Sequence, residues 1–303
     1  MAEALVGSVG LVAVAIGLAW LSCAATALAG GATPVVAGLR PAREGVRLLR
    51  QRRRRTVAAD LHLWRAGGWA LVPSSVLMLA LVPLGSRPAL TSDVGVVWAN
   101  ALDVAVWAFV WLLGWGANSV VSLVGGYRFL ALALGYELPL MFALVAPALA
   151  AQSLDLEDVA RAQSDLWFVT WMPVAFLVYV IGVLGFSTRG PMSASVGREI
   201  GGGVLAELNS VDLLVVRWGR HALLGAGSAL AVPLFLGGGA GPWLAPWAWV
   251  LLKAALLTVA LAWTAARLPT ARPHLLMQPL WTFLLPAVVV QDLLVGVILV
   301  GGR

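Results

Sequence analysis

The stretch Leu5–Ala29, LVGSVGLVAVAIGLAWLSCAATALA, carries no charged side chain, and none occurs between Glu3 and Arg40. At about 1.5 Å of rise per residue it exceeds the roughly 20 residues needed to cross a bilayer core about 30 Å thick. A cleaved signal peptide is the competing reading, but the basic n-region is missing and the run outlasts an ordinary h-region. It is expected to be a first transmembrane helix. The rest of the chain agrees: of 303 residues 61% are hydrophobic and 11% charged, against roughly 25% charged in soluble proteins, and the mean hydropathy is +0.92. A water-soluble globular enzyme is excluded.

Charge-free stretches recur at 66–86, 104–127, 138–154, 166–188, 222–252 and 273–291. Together they predict an all-α, polytopic integral membrane protein, one membrane domain over 1–303. Eight transmembrane helices are expected at 5–29, 67–85, 94–115, 125–149, 166–187, 213–236, 247–267 and 279–300.

Orientation follows from Arg and Lys in short loops. Arg40, Arg43, Arg47, Arg50, Arg52 to Arg55 and Arg65 crowd the first loop, and Arg189, Arg198, Arg267 and Arg272 lie on the same side. The opposite loops hold only Arg87 and Arg161. The arginine-rich side is expected in the cytoplasm of a plasma (inner) membrane protein, with both termini outside. These clusters between spans account for the pI near 10.6 without a nucleic-acid partner.

Within the first loop, Val35, Leu39, Ala42, Val46 and Leu49 recur at helical spacing, with Arg40, Arg43, Arg47 and Arg50 on an adjoining arc. Residues 34–50 therefore read as an amphipathic helix lying in the membrane interface, which anionic lipid headgroups alone would suffice to explain.

Charges within spans are costly and mark functional candidates. Asp103, Glu137, Lys253 and Asp292 qualify. Glu137, near the middle of the fourth span, is a candidate for proton exchange; a paired Glu locking helices together explains its position equally well. Arg128 lies about 13 Å away along the same helix, too far to pair with it. Lys253 and Asp292 are opposite charges facing the bundle interior if their helices are turned that way. Asp103 has no partner in its own helix. The lone Cys23 builds neither a disulfide nor a cluster, His62, His221 and His274 are scattered, and no metal site is expected. Phosphate-loop, dinucleotide and nucleophile-elbow motifs are absent.

Residues 114–139, GWGANSVVSLVGGYRFLALALGYELP, resemble the H subunit of bacterial NADH:quinone oxidoreductase, respiratory complex I, in the pattern GW, N, LxGxxR and YE followed by Pro. Gly114, Trp115, Asn118, Leu123, Gly125, Arg128, Tyr136 and Glu137 carry the match. RPAREGVRLL at 40–49 resembles that family's QPxADGxKLL segment. GGGAGP at 237–242, Lys253 in WVLLKAALL, LPTARPHLLM at 268–277 and Trp281 with Pro286 follow in the family's order.

The departures are as informative. The family's RxGPNR after the first helix is replaced by GGATP at 30–34, and its RxPFDxPEAExEL by RGPMSASVGREI at 189–200, where Glu199 alone remains of the acidic cluster. Glu207 matches the glutamate of the EYSG motif, whereas an expected acidic residue early in the sixth helix is Arg220. With fewer acids on the coupling path, Arg217 or Arg220 is expected, in the assembled complex, to pair with an acid or turn to the cytoplasmic surface.

The resemblance implies a membrane subunit of a proton-translocating NADH:quinone oxidoreductase, acting as an enzyme only within the complex. Quinone is the implied substrate, entering beside residues 34–50 and the first helix, while FMN and iron–sulfur clusters belong to partner subunits of the peripheral arm. Pro41, Arg47, Arg128 and Arg189 are the implied chamber or entrance residues. Glu137, Glu199, Glu207 and Lys253 form the implied proton path, with Lys253 as relay or counter-charge. The rivals are an anchor of a complex I-like membrane hydrogenase with weakened coupling, a proton-coupled secondary transporter using Asp103, Glu137 and Asp292, and a structural scaffold. No inverted repeat supports the transporter.

Overall fold

The computed structural model describes residues 2–84, 88–197 and 203–301, with side chains from residue 9 onward. Every regular element in these residues is helical. α1 (Ala2–Ala29) turns at Gly31, whose φ of +86° is open to glycine and strained for other residues. It leads into α2 (Pro34–Leu49), started by Pro34 in the first turn. α2 buries Ala37, Pro41 and Leu48 against α1 and α10 (Ser210–Phe235). The apolar arc recognised in the sequence faces elsewhere: Val35, Leu39, Ala42, Val46 and Leu49 are exposed. α2 thus has two non-polar faces, one seated on the protein and one left for lipid.

The segment after α2 is extended and pinned to the start of α10. Arg54 N–H donates to Asn209 Oδ1 at 2.8 Å, Asn209 Nδ2 returns to Arg54 O at 3.2 Å, and Ser210 Oγ donates to Gln51 O at 2.8 Å. α3 (Leu61–Trp69) and α4 (Leu71–Ala80) form one helical run, because Ala70 keeps helical dihedrals and Ser74 N–H reaches Ala70 O. Expected at 67–85, this helix instead starts at Leu61, because the Asp60 carboxylate accepts from the His62 and Leu63 N–H groups, both at 3.1 Å. It stops at Ala80, shortly before Pro83.

α5 (Gly95–Gly116) and α6 (Val120–Ala151) form a tight hairpin through Asn118, which has a φ of +44° and donates from Nδ2 to Val57 O at 3.1 Å. A Cβ on Gly114 would sit 2.8 Å from Ser122 O, and one on Gly125 would sit 2.5 Å from Val204 N. Those two motif glycines allow close backbone approach.

α7 (Leu156–Arg161) is a short turn capped by Asp155. Where a single helix was expected at 166–187, Pro173 separates α8 (Phe168–Trp171) from α9 (Pro173–Phe186). The backbone groups freed there are met by Gln291: its Oε1 accepts from Ala175 N–H at 2.8 Å and its Nε2 donates to Trp171 O at 3.1 Å. A 3-10 turn (Gly190–Val196) follows. α11 spans Pro246–Arg267. The last helix, expected at 279–300, begins earlier, as α12 (Pro273–Pro279), because Pro273 suits a first helical turn; it passes through a π-helical turn into α13 (Leu285–Gly301).

α10 is the axis of the bundle, packed by α1, α4, α9 and α11 and buried at every residue from Ala222 to Phe235. The outer surface is apolar, with Ile16, Leu256, Val290, Leu293 and Val297 exposed. Among the described residues, six helices are long and apolar enough to cross a membrane. The α3–α4 run and α10, whose first half carries Arg217, Arg220 and His221, stand where the second and sixth spans were expected.

Candidate functional site

At the end of the bundle bearing α2, a cavity of about 260 Å³ opens between α1, α2 and α10. α1 presents Cys23 and Thr26, one turn apart. α2 presents Arg40, Pro41 and Glu44, and α10 presents Arg217, Arg220 and His221, each set on one helical face. Arg189 enters from the turn after α9. Four arginines therefore surround one carboxylate.

That carboxylate is the hub. Glu44 accepts from Arg47 Nε at 2.9 Å and Nη2 at 2.6 Å, and from Arg217 across the α2–α10 junction. The Arg47 hydrogen bond, aided by the Arg217 charge and opposed by partial burial, holds the Glu44 carboxyl below the usual carboxylate range. Arg220 donates to both the hydroxyl and the carbonyl oxygen of Thr188, where α9 ends in a left-handed residue with a φ of +55°. A cation there meets the negative end of the α9 dipole. Ser22 Oγ and His221 Nδ1 are 2.8 Å apart, and Trp20 Nε1 donates to Gly38 O at 3.0 Å, tying α1 to α2.

Of the residues singled out for a chamber, Pro41 and Arg189 line this cavity; Arg47 is exposed and reaches it through Glu44, and Arg128 is exposed on α6 and is not among the lining residues. Glu207 accepts from Ser119 Oγ at 2.8 Å and lines a separate recess with Arg54 and Arg55. Glu199 lies outside the described residues. Lys253 does not meet Asp292. Its ammonium donates to Leu236 O, Gly238 O and Ala240 O at 2.7, 2.9 and 3.0 Å and lies 4.3 Å from the centre of the Trp167 ring. Thr188 and Ser22 gave no signal in the sequence, because their partners come from distant helices.

A second polar centre lies between α5 and α6. Glu137 and Asp103, 4% and 2% exposed, face one another, and Asn100, one turn from Asp103, also faces Glu137. All four carboxyl oxygens lack a closed hydrogen bond among the described residues, as do Asn100 Oδ1 and the buried Tyr136 hydroxyl. The Tyr136 ring rests on Gly185, where a Cβ would lie 2.6 Å from it. Asp103 and Glu137 were each visible in the sequence as intramembrane charges; that they meet was not. Asp292 is buried on α13, and both its oxygens lack a partner among the described residues. No cluster of His, Cys, Asp and Glu suited to a metal ion occurs among the described residues.

Residues 24–296 match the family described as NADH dehydrogenase. Curated relatives include an NADH-quinone oxidoreductase H subunit of Geobacter metallireducens, the first of that organism's numbered forms, 31% identical over 81% of this chain and 78% of its own length. The second-numbered H subunit of Syntrophobacter fumaroxidans is 31% identical over 74% of this chain and 71% of its own, and the second-numbered one of Rhizobium meliloti 28% identical over 79% and 77%.

Proposed function

The chain belongs to the H-subunit family of NADH-quinone oxidoreductases, and from that premise we propose that it forms part of the quinone chamber and couples a peripheral electron-transfer arm to proton movement in the membrane. The protein is a multi-pass membrane subunit and takes part in catalysis only as one component of its oxidoreductase complex.

The observation that carries the reading is the cavity between α1, α2 and α10. Ligand sites run from about 300 Å³ upward, so about 260 Å³ suits a ring-sized quinone headgroup with its tail left in the bilayer. The lipid-facing arc of α2 forms the sill over which the tail passes. Pro41 and Arg189 contact the headgroup, Arg47 holds Glu44 in place, and Arg128, exposed on α6, stands at the entrance. FMN and iron–sulfur clusters reside in partner subunits of the peripheral arm.

Glu137 is the intramembrane proton group, and Glu207 and Glu199 are the remaining carboxylates on the cytoplasmic side. Lys253, with three N–H donors already engaged, acts as a fixed counter-charge. The protein resides in the plasma membrane with both termini outside.

Cys23, the single cysteine, lines the cavity and supplies the test. In the assembled complex, a short-chain quinone slows alkylation of Cys23 by a small maleimide. Equal labelling rates with and without quinone would remove this cavity from the quinone path. The weakened-coupling anchor is favoured by one observation, the excess of arginine over carboxylate in the cavity, and would show quinone protection without proton translocation.

A further inference from the structure

We propose that Asp103 is the second half of the proton site: Asp103 and Glu137 act as one unit that holds a proton between two carboxyl groups. The inference rests on the reading of Glu137 as the intramembrane proton group and adds a residue from a different helix.

Two buried carboxylates side by side would each bear a desolvation cost of several kcal/mol and would repel one another. Among the described residues no basic side chain bonds either carboxyl, whose four oxygens are all without a partner, and the Lys253 ammonium is bound to the carbonyls at the end of α10. One proton between the carboxyls converts the repulsion into an O–H···O contact and leaves the unit with a single negative charge; a second neutralises it. Tyr136 of α6 and Tyr179 of α9 are the other titratable side chains in the field of Asp103. Tyr136 is 1% exposed and its hydroxyl, near Trp107, closes no hydrogen bond among the described residues, so it is a donor available to the charged form. Tyr179 donates to Gly227 O at 2.8 Å.

Two cavities give the unit its surroundings. A void of about 20 Å³ is lined by Asn100, Asp103 and Tyr179, above the roughly 10–15 Å³ that a single water needs. Asn100 also lines a groove of about 820 Å³ between α5, α6 and α13, whose rim carries Asp93 and Ser153. A proton carried by water therefore has a polar step, Asn100, between that groove and the acid pair. This approach comes from the end of α5 opposite to the arginine cavity.

The test uses the whole complex in its own membrane. D103N and E137Q each lower coupled quinone-reductase turnover by about tenfold or more, and the double variant falls no further than the worse single, since either change removes the same unit. If E137Q lowers turnover that far and D103N does not, the shared site is overturned while the reading of Glu137 stands; if neither does, both fall. Losses that multiply in the double variant also overturn the shared site. Should D103N fail to assemble, infrared difference spectra across pH decide instead. The carboxyl C=O band remaining in E137Q titrates with a midpoint displaced by about one pH unit or more from the unaltered complex, and an undisplaced band overturns the proposal.

Discussion

The Arg217 guanidinium of α10 bonds the Glu44 carboxylate of α2, joining the interfacial helix to the bundle axis across the mouth of the cavity. Because Glu44 is held below the usual carboxylate range, chiefly by its Arg47 hydrogen bond, its contribution to folding is present above the unfolded pKa. It is lost as pH falls through the lower folded value. Both partners are about one-third exposed (34% and 30%), so the pair is worth at most about 1 kcal/mol. Acidification below about pH 4.5, or E44Q at neutral pH, loosens α2, and the expected readout is faster alkylation of Cys23. An unchanged labelling rate in E44Q would mean that packing of Ala37, Pro41 and Leu48 alone seats the helix.

Arg220, at a position where the sequence resemblance leads one to expect an acid, places its guanidinium on the carbonyl end of α9 at Thr188. Arg220→Glu would set a carboxylate against that carbonyl and strand the cap, with an expected cost of about 3 kcal/mol. The variant should therefore accumulate poorly in the membrane, while Arg220→Lys retains part of the wild-type level. Normal assembly of R220E with improved coupling would instead identify the arginine as a degenerate substitution in the proton path.

The helices were legible because a bilayer imposes one length and one polarity on every span, and Leu5–Ala29 announces both. Local signals were harder to read in three places. The Asp60 cap moves a helix start by six residues relative to 67, Pro173 splits a uniformly apolar stretch, and α2 conceals its packed face behind a more hydrophobic lipid-facing one. In the cavity, the arginines were visible and their partners were not. Glu44 to Arg217 spans 173 positions, and helical periodicity carries no information about which distant helix comes alongside. The same holds for Asp103 and Glu137, each conspicuous alone and brought together only by the α5–α6 hairpin.

Gln291 repairs the break at Pro173 by bonding Ala175 N–H and Trp171 O simultaneously. Gln291→Leu keeps the volume and leaves the buried Ala175 N–H and the part-buried Trp171 carbonyl without partners, at a cost of about 1–3 kcal/mol for the buried group. Thermal unfolding of the detergent-solubilised complex should shift downward, with Gln291→Asn too short to rescue it. A Leu variant as stable as the wild type would show that another group replaces the amide.

Lys253 ties together Leu236, Gly238 and Ala240 where α10 ends in the GGGAGP turn. Lys253→Met removes the charge and strands three carbonyls, so assembly is expected to fall by the equivalent of about 3 kcal/mol or more. The complexes that do form should retain their proton-to-electron ratio if the ammonium is a fixed counter-charge. A normal amount of complex with a reduced ratio would make Lys253 a working relay.

The topology can be read with two single cysteines in a Cys23→Ser background. Thr91 and Thr270 are both exposed, one before α5 and the other between α11 and α12. An odd number of crossings separates them if α10 spans the membrane along with α5, α6, α9 and α11. The arginine-rich loops belong on the cytoplasmic side, so T91C reacts with an impermeant maleimide from outside intact cells and T270C only after the membrane is opened. Reaction of both from outside would mean that α10, with its arginines, does not cross. An α10 that does not cross would leave the cavity at the membrane surface, without the hydrocarbon shell that a quinone tail requires.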